Sequence, residues 1–419
     1  MNRLPAFFIA LLFVLVPEAS SHVVRAAEPL LRELPPGVFV DKSTEVPSAQ
    51  TDAIGKKLGG RITRLSNSVV RVHGRAIQVN VITAANESEA QAIHAGLTKI
   101  KAYPFCLRKD ALVVEYVGQD LDTAIALKTS YELGLLPKPN KVQYRVQAEL
   151  ATIQKADYMA CNPLFNQFLA VQQGTDPNAA KQIAELARRF EFGHTLALRN
   201  PALAAASYTF EPASQSLAET GSTITYTFGE QPNRHGVPFV TAHIDITVDG
   251  SGLREETAAP GAALTAATPF WPVADPKIVA LANEITQGKT NHGAKAMAIL
   301  EWLAPGTHIK YSGETGSRWG TSKVLEQKFG HCWDFADCFV TLARASGVPA
   351  RQVAGWLYGS SGHVWAEFYR EGKGWQQVDP TGGGTLRCGI YHLPYFTSED
   401  GEMPIVYLAL PRIETVTDK

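Results

Sequence analysis

Between residues 75 and 134 the hydrophobic positions switch between a period of two and a helical period. RAIQVNVIT (75–83) and ALVVEYV (111–117) read as strands, while ESEAQAIHAGLTKIKA (87–102) and DTAIALKTSYELG (122–134) read as helices, the second stopping at a glycine. Strands and helices in that order predict a small α/β region over residues 27–150. VQYRVQAELATIQKADYMACNPLFNQFLAVQQ (142–173) and DPNAAKQIAELARRFEFG (176–193) then read as a helical segment. From Ala206 to Gly250 the period returns to two. In VTAHIDITVDG (240–250) Val240, Ala242, Ile244, Ile246 and Val248 are expected to face a core, with Thr241, His243, Asp245 and Thr247 facing away. STITYTF and ASYTFEP add shorter strands, so residues 151–256 are expected to combine the helical segment with a short β layer. A run rich in Ala, Thr and Pro over 257–272 predicts a linker, and 273–419 a final domain.

That domain opens with two helical stretches, DPKIVALANEIT and HGAKAMAILEWLA, and leads to FGHCWDFADCFVTLARASGVPARQVAGW (329–356). Phe335, Phe339, Val340, Leu342 and Ala343 recur at helical spacing, and Gly347 and Pro349 stop the run. Cys332 therefore falls in the first turn of a buried helix, where the partial positive charge of the N-terminus favours a thiolate, the nucleophilic form. Cys338 lies about 120° around the same helix at about 100° per residue, and is expected to be buried or bridged. A zinc site built from His331, Cys332 and Cys338 lacks the usual ligand spacing. No phosphate loop or metal-ligand pattern occurs upstream, so His73, His94 and His194 are expected to be surface or satisfied core histidines.

A nucleophilic cysteine needs a base, and the base an orienting group. GHVWAEFYREGKGWQQVDPTGG (362–383) reads as a hairpin: a strand from His363 to Arg370, a turn at EGKG, and a return strand from Trp375 to a stop at Pro380. A loop of odd length, pairing Arg370 with Gly374 or Tyr369 with Trp375, puts Asp379 opposite Trp365, on the face of His363 and diagonal to it. An even loop would separate the two.

Read together, GHCWDFADCFVTLARASGVPARQVAGW, GHVWAEFY and GWQQVDPT resemble the core of the transglutaminase-like superfamily, in the order Cys, His, Asp, and VLEQKFGHCWDFAD is similar to its bacterial exported members. The resemblance spans about 120 residues, densest from Val324 to Thr381, and leaves the role of the N-terminal two hundred open. It implies an α+β chain with a C-terminal papain-like domain, in which Cys332 is the nucleophile, His363 the base and Asp379 the orienting group. The chemistry is acyl transfer on protein or peptide amides through a thioester, with no cofactor and no metal. The Cys332 backbone N–H would supply one oxyanion donor, and Gln327 and Trp319 are candidates for the second. His331 is expected to be a loop residue, and Trp333 and Trp365 core residues. Family analogy favours hydrolysis by a peptidase or amidase; the alternatives are a protein-crosslinking transglutaminase and a catalytically idle protein-binding scaffold.

Composition narrows the setting. A chain of 419 residues, 45% hydrophobic and 19% charged, predicts two or three ordered domains. With a net charge of −1 and no long basic run, a nucleic-acid partner is not expected, and oligomeric state is left open. The opening MNRLPAFFIALLFVLVPEASSHVVRAAEP has Arg3, an apolar run from Phe7 to Val16 and then small residues, the pattern of a signal peptide over residues 1–26. Cleavage after Ser21 or Ala26 would give a secreted or periplasmic protein with no stable membrane insertion; retention as an anchor is the alternative. In an oxidising compartment the five cysteines suggest two bridges and one working thiol, with Cys106–Cys161 and Cys338–Cys388 as the first pairs to consider.

Overall fold

The computed structural model describes residues 38–72, 75–99, 106–117, 123–154, 162–201, 205–256, 259–313, 316–359, 362–381 and 388–416. The expected signal peptide and Cys161 lie outside them, as does His73. The chain is α+β. In its first part the strands Val38–Glu45, Ile62–Val72, Arg75–Ala84, Leu112–Val117 and Cys106–Lys109 lie side by side in that order, each antiparallel to its neighbour. Helices Ser48–Leu58 and Glu87–Thr98 pack the partly buried Ile54 and the buried Ala90, Ile93 and Leu97 on one face of this sheet, and Ala126 of helix Thr123–Glu132 and Leu133 just after it pack on the other. The two strands and two helices read from the periodicity appear as Arg75–Ala84, Leu112–Val117, Glu87–Thr98 and Thr123–Glu132; Val38–Glu45, Ser48–Leu58, Ile62–Val72 and Cys106–Lys109 are additional to that reading.

One expectation is corrected. The first part of the stretch read as helical, Lys141–Ile153, is a strand, and only Asn162–Gln173 and Ala179–Ala187 are helices. Tyr144, Val146, Ala148 and Leu150 are buried in alternation with exposed or half-buried polar residues. Gln, Glu, Arg and Ala favour helices by propensity, but ten paired positions with Val240–Asp249 outweigh that preference. Val240–Asp249 itself shows the expected alternation. The strand Lys141–Ile153 also receives the end of the chain, pairing with Ile405–Tyr407 and Arg412–Thr415.

The second large sheet carries the C-terminal domain, in the order Leu253–Glu255, Gly374–Val378, Gly362–Arg370, Ala350–Leu357, His392–Ser398. Helix Cys332–Ala345 packs across it through Phe335, Phe339 and Leu342, with helices Pro276–Ile285 and His292–Leu303 completing the core. The stretch expected to be a linker is folded against this domain: Trp271 is fully buried and donates its indole N–H to Asp337 at 2.8 Å. The β layer is fastened to the same sheet by charge. Arg199 donates to Glu367 at 2.8 Å and to Thr397 at 2.7 Å, and Arg351 donates to the other Glu367 oxygen at 2.6 Å, all of them buried.

The disulfide expectation is also corrected. Cys106, Cys332, Cys338 and Cys388 are all free thiols. Cys338 lies among Phe335, Phe339 and Phe368 in the helix core, whereas Cys388 packs against Val353 and Trp365, so the two occupy different clusters. Among the described residues no helix is long and apolar enough to cross a membrane.

Burial alone would raise the Glu367 carboxyl, but Arg199 and Arg351 outweigh it and hold the group at about 2. Its contribution to stability is therefore fully present above roughly pH 4.3 and is lost as pH falls toward about 2. Glu367→Gln leaves two buried guanidinium groups without their carboxylate and is expected to cost about 3–5 kcal/mol. Urea denaturation at neutral pH checks the loss, and the variant's stability should fall less between pH 5 and pH 3 than that of the wild type.

Candidate active site

Cys332 is the first residue of helix Cys332–Ala345, and its first turn is locked from two sides. Asp334 accepts the backbone N–H of His331 at 2.9 Å and that of Trp319 at 2.6 Å, tying the upstream loop to the helix start. Burial pushes the Asp334 carboxyl up to about 6 despite these bonds. Gly330 is required here, because a Cβ at that position would stand 2.6 Å from the Asp334 Cβ. One turn on, Asp337 accepts from Arg318 at 2.7 and 2.8 Å, from Trp271 and from Gln352 at 3.0 Å. The start of the helix is thereby fixed to the upstream loop, the former linker and the sheet.

The hairpin has the odd register. Arg370 pairs with Gly374 and Tyr369 with Trp375, and the ladder runs to Ala366 and Val378, one step short of Asp379. His363 Nε2 lies 2.8 Å from Asp379 Oδ2, which leaves Nδ1 as the ring nitrogen available to Cys332. Asp379 has further partners. Thr381 donates to Oδ1 through its backbone N–H at 2.9 Å and its hydroxyl at 2.6 Å, and His392 Nε2 approaches Oδ2 at 3.0 Å. The Gly389 N–H donates to His392 Nδ1 at 3.2 Å, which places the His392 proton on Nε2, facing the carboxylate.

Burial alone would raise the Cys332 thiol; hydrogen bonds and charge from His331 and His363 outweigh it and bring it to about 6. Burial would lower His363, but Asp379 and the sulfur raise it to about 10. The buried pair therefore rests as thiolate and imidazolium. Asp379 is held well below the usual carboxylate range, burial being overcome by the two imidazoles, and burial keeps His392 on the neutral side of its ordinary value.

Cys332, His363 and Asp379 are thus brought together, while the two oxyanion candidates are not. The Gln327 amide is turned onto the Phe329 carbonyl at 2.9 Å, and the Trp319 ring is half exposed to solvent. Two other groups reach the sulfur instead: His331, expected to be only a loop residue, and Tyr311, which sequence reasoning did not single out. His331 contacts it from the residue before, and the Tyr311 hydroxyl reaches it from a short strand, Lys310–Tyr311, that runs parallel to Phe329–Gly330. Nothing in the sequence marks Tyr311, because a two-residue pairing leaves no periodic trace. Trp365 is fully buried, with its indole N–H on Gln377 at 2.9 Å. Trp333 lines a cleft of about 370 Å³ that also contains Cys332 and His363.

The nitrogen and oxygen donors of His363, Asp379 and His392 lie within 4.8 Å of one another, a spacing that could hold a cation. The contacts of 2.8 and 3.0 Å from His363 and His392 to the Asp379 carboxylate are hydrogen bonds, and the three groups serve as an acid–base network as they stand.

A buried, ionised cysteine thus stands beside a carboxylate-bound histidine on a frame of helix and sheet. Residues 279–380 match the sequence model of the Transglutaminase-like superfamily, and this part of the chain is a transglutaminase-like domain. The chain is similar to a protein-glutamine gamma-glutamyltransferase of Pseudomonas aeruginosa, 28% identical over 122 residues that make up 26% of this chain and 18% of that protein. It is also similar to the peptide-N(4)-(N-acetyl-beta-glucosaminyl)asparagine amidase of Gallus gallus, 41% identical over 102 residues, 23% of this chain and 15% of that one. The match thus spans less than a fifth of the length of either relative. Among solved structures, a Cytophaga hutchinsonii protein assigned as a cysteine protease aligns with 66% of this chain and 90% of its own at 15% identity and a TM-score of 0.39.

The electrostatics predict the pH profile of Cys332 alkylation. In the wild type the rate should rise with an apparent pKa of about 6. In Asp379→Asn the imidazolium loses the carboxylate that raises its pKa, so the thiolate is less favoured and the curve should move toward the free-thiol value of about 8.5. Iodoacetamide labelling followed by mass spectrometry measures both curves, and coincident curves would show that Asp379 is uncoupled from the sulfur.

Proposed function

We propose that the protein is an exported, cysteine-dependent acyl-transfer enzyme that hydrolyses amide bonds of proteins or peptides. The observation that carries this reading is the buried Cys332 sulfur held between His331 and His363, with His363 bonded to Asp379 at 2.8 Å. The Cys332 sulfur attacks the carbonyl carbon, and the oxyanion that forms accepts the Cys332 backbone N–H and the Tyr311 hydroxyl. His363 gives its proton to the amide nitrogen, the C–N bond breaks, and the amine leaves with a thioester on Cys332. His363 then takes a proton from water, which attacks the thioester and releases the acid, and the Cys332 thiolate is regenerated beside the protonated His363. Asp379 keeps the imidazole in one orientation and stabilises its charged form throughout.

Export is supported by the apolar run from Phe7 to Val16 behind Arg3. Residues 1–26 are proposed to be removed, leaving the transglutaminase-like part at 273–419 behind the α/β region and the β layer.

Incubation with an activated peptide ester should give an acyl adduct on Cys332 in intact mass spectra, and Cys332→Ala should abolish both adduct and product while keeping the wild-type melting behaviour. Adding a primary amine separates hydrolysis from transfer: the acid should remain the main product, whereas conversion chiefly to the substituted amide would replace hydrolysis with transamidation. Turnover by Cys332→Ala would end the nucleophile assignment.

A further inference from the structure

The cleft that contains Cys332 and His363 is walled largely by parts of the chain outside residues 279–380. Phe165, Leu169 and Gln173 reach it from helix Asn162–Gln173, and Met403, Ile405 and Tyr407 from the returning end of the chain. The Phe165 and Tyr407 rings meet edge to face, with centroids 4.4 Å apart. Tyr407 also presses on the strand that carries His363, since a Cβ on Gly362 would stand only 2.1 Å from its hydroxyl. Among the described residues, none that lines the cleft is an Asp, Glu, Lys or Arg.

We infer that this cleft is an acyl-side pocket that selects substrates with a bulky, uncharged apolar group next to the carbonyl attacked, with Phe165, Leu169 and Tyr407 as its selective wall. The inference rests on the acyl-transfer reading above and names its substrate class. The half of a substrate that stays bonded to sulfur suits an enclosed apolar site, while the leaving amine and the incoming water need a path to solvent. Outside the cleft lining, Tyr311, whose hydroxyl reaches the sulfur, is 43% exposed, and Trp319, tied to the helix start through Asp334, is 50% exposed, so solvent comes close to the sulfur without crossing the apolar wall. A volume of about 370 Å³ is near the small end of ligand pockets, which run from about 300 to 1,000 Å³. A charged side chain seated against Phe165, Leu169 and Tyr407, away from His363, would lose its water and find no counter-ion among the described residues of that wall, whereas an aromatic or branched aliphatic group gains by leaving water.

The test uses three p-nitrophenyl esters that differ only in the acyl part: acetate, 3-phenylpropanoate and hemisuccinate. Acyl-enzyme formation on the full-length protein is followed by p-nitrophenol release and intact mass, and each rate is divided by that ester's rate with free cysteine. The phenylpropanoyl rate should exceed the acetyl and succinyl rates by at least about tenfold. Phe165→Ala and the milder Leu169→Ala should each lower the phenylpropanoyl-to-acetyl ratio, and the ratio is read only from variants that still form an acetyl adduct on Cys332. Equal normalised rates for the three esters in the wild type, with adducts forming, overturn the pocket and leave the acyl-transfer reading standing. Absence of an adduct with any ester removes both.

Discussion

An ionised sulfur has to exist inside this protein, and most of the C-terminal domain follows from that constraint. Cys332 is only 7% exposed, and a buried thiol by itself would become harder to ionise. Three features reverse the penalty: the helix N-terminus under the sulfur, the His331 imidazole beside it, and the His363 imidazolium across from it. Each works only at a fixed position. Asp334 therefore clamps the helix start to the loop before it, Asp337 gathers Arg318, Trp271 and Gln352 one turn later, and the odd register of the hairpin sets His363 and Asp379 side by side. The buried charges are tolerable because each is paired and hydrogen-bonded.

The same constraint explains why the upstream regions are not appendages. The C-terminal strands Ile405–Tyr407 and Arg412–Thr415 leave their own domain to pair with Lys141–Ile153, while Arg199 crosses the other way to Glu367. Glu367 lies on the strand of His363, four residues along, so the charge that joins the two halves also stiffens the strand that carries the imidazole. Helix Asn162–Gln173 could not wall the cleft without this interlock, because it packs through Leu164 and Phe168 onto Ala151 and Leu408, on the shared sheet and just past its Ile405–Tyr407 strand.

What could be read from the residues follows the physics of each signal. The helix after Cys332 and the hairpin are local: a 3.6-residue period with a glycine stop, and a short loop whose length fixes which faces meet. The strand Lys141–Ile153 was misleading because its polar positions are helix formers and its partner lies about a hundred residues away, a contact no local pattern encodes. The parts that Tyr311, His392 and helix Asn162–Gln173 play in the site were invisible for the same reason, since each reaches it through tertiary packing. The expected Cys338–Cys388 bridge failed on geometry, because the two lie in separate clusters, which cysteine counting cannot foresee.

The surroundings of Asp379 decide where the proton of the thiol can rest. A carboxylate offers about four lone-pair sites, and here four donors occupy them: His363 and His392 on Oδ2, and the Thr381 backbone and hydroxyl on Oδ1. His392 can only donate, because the Gly389 N–H fills its other nitrogen. Protonating Asp379 would cost at least one of these bonds and leave a donor buried and unpaired. The carboxylate therefore stays charged, and a proton that leaves Cys332 stays on His363. In the proposed acyl transfer it would be held there until the departing amine nitrogen, rather than the aspartate, takes it.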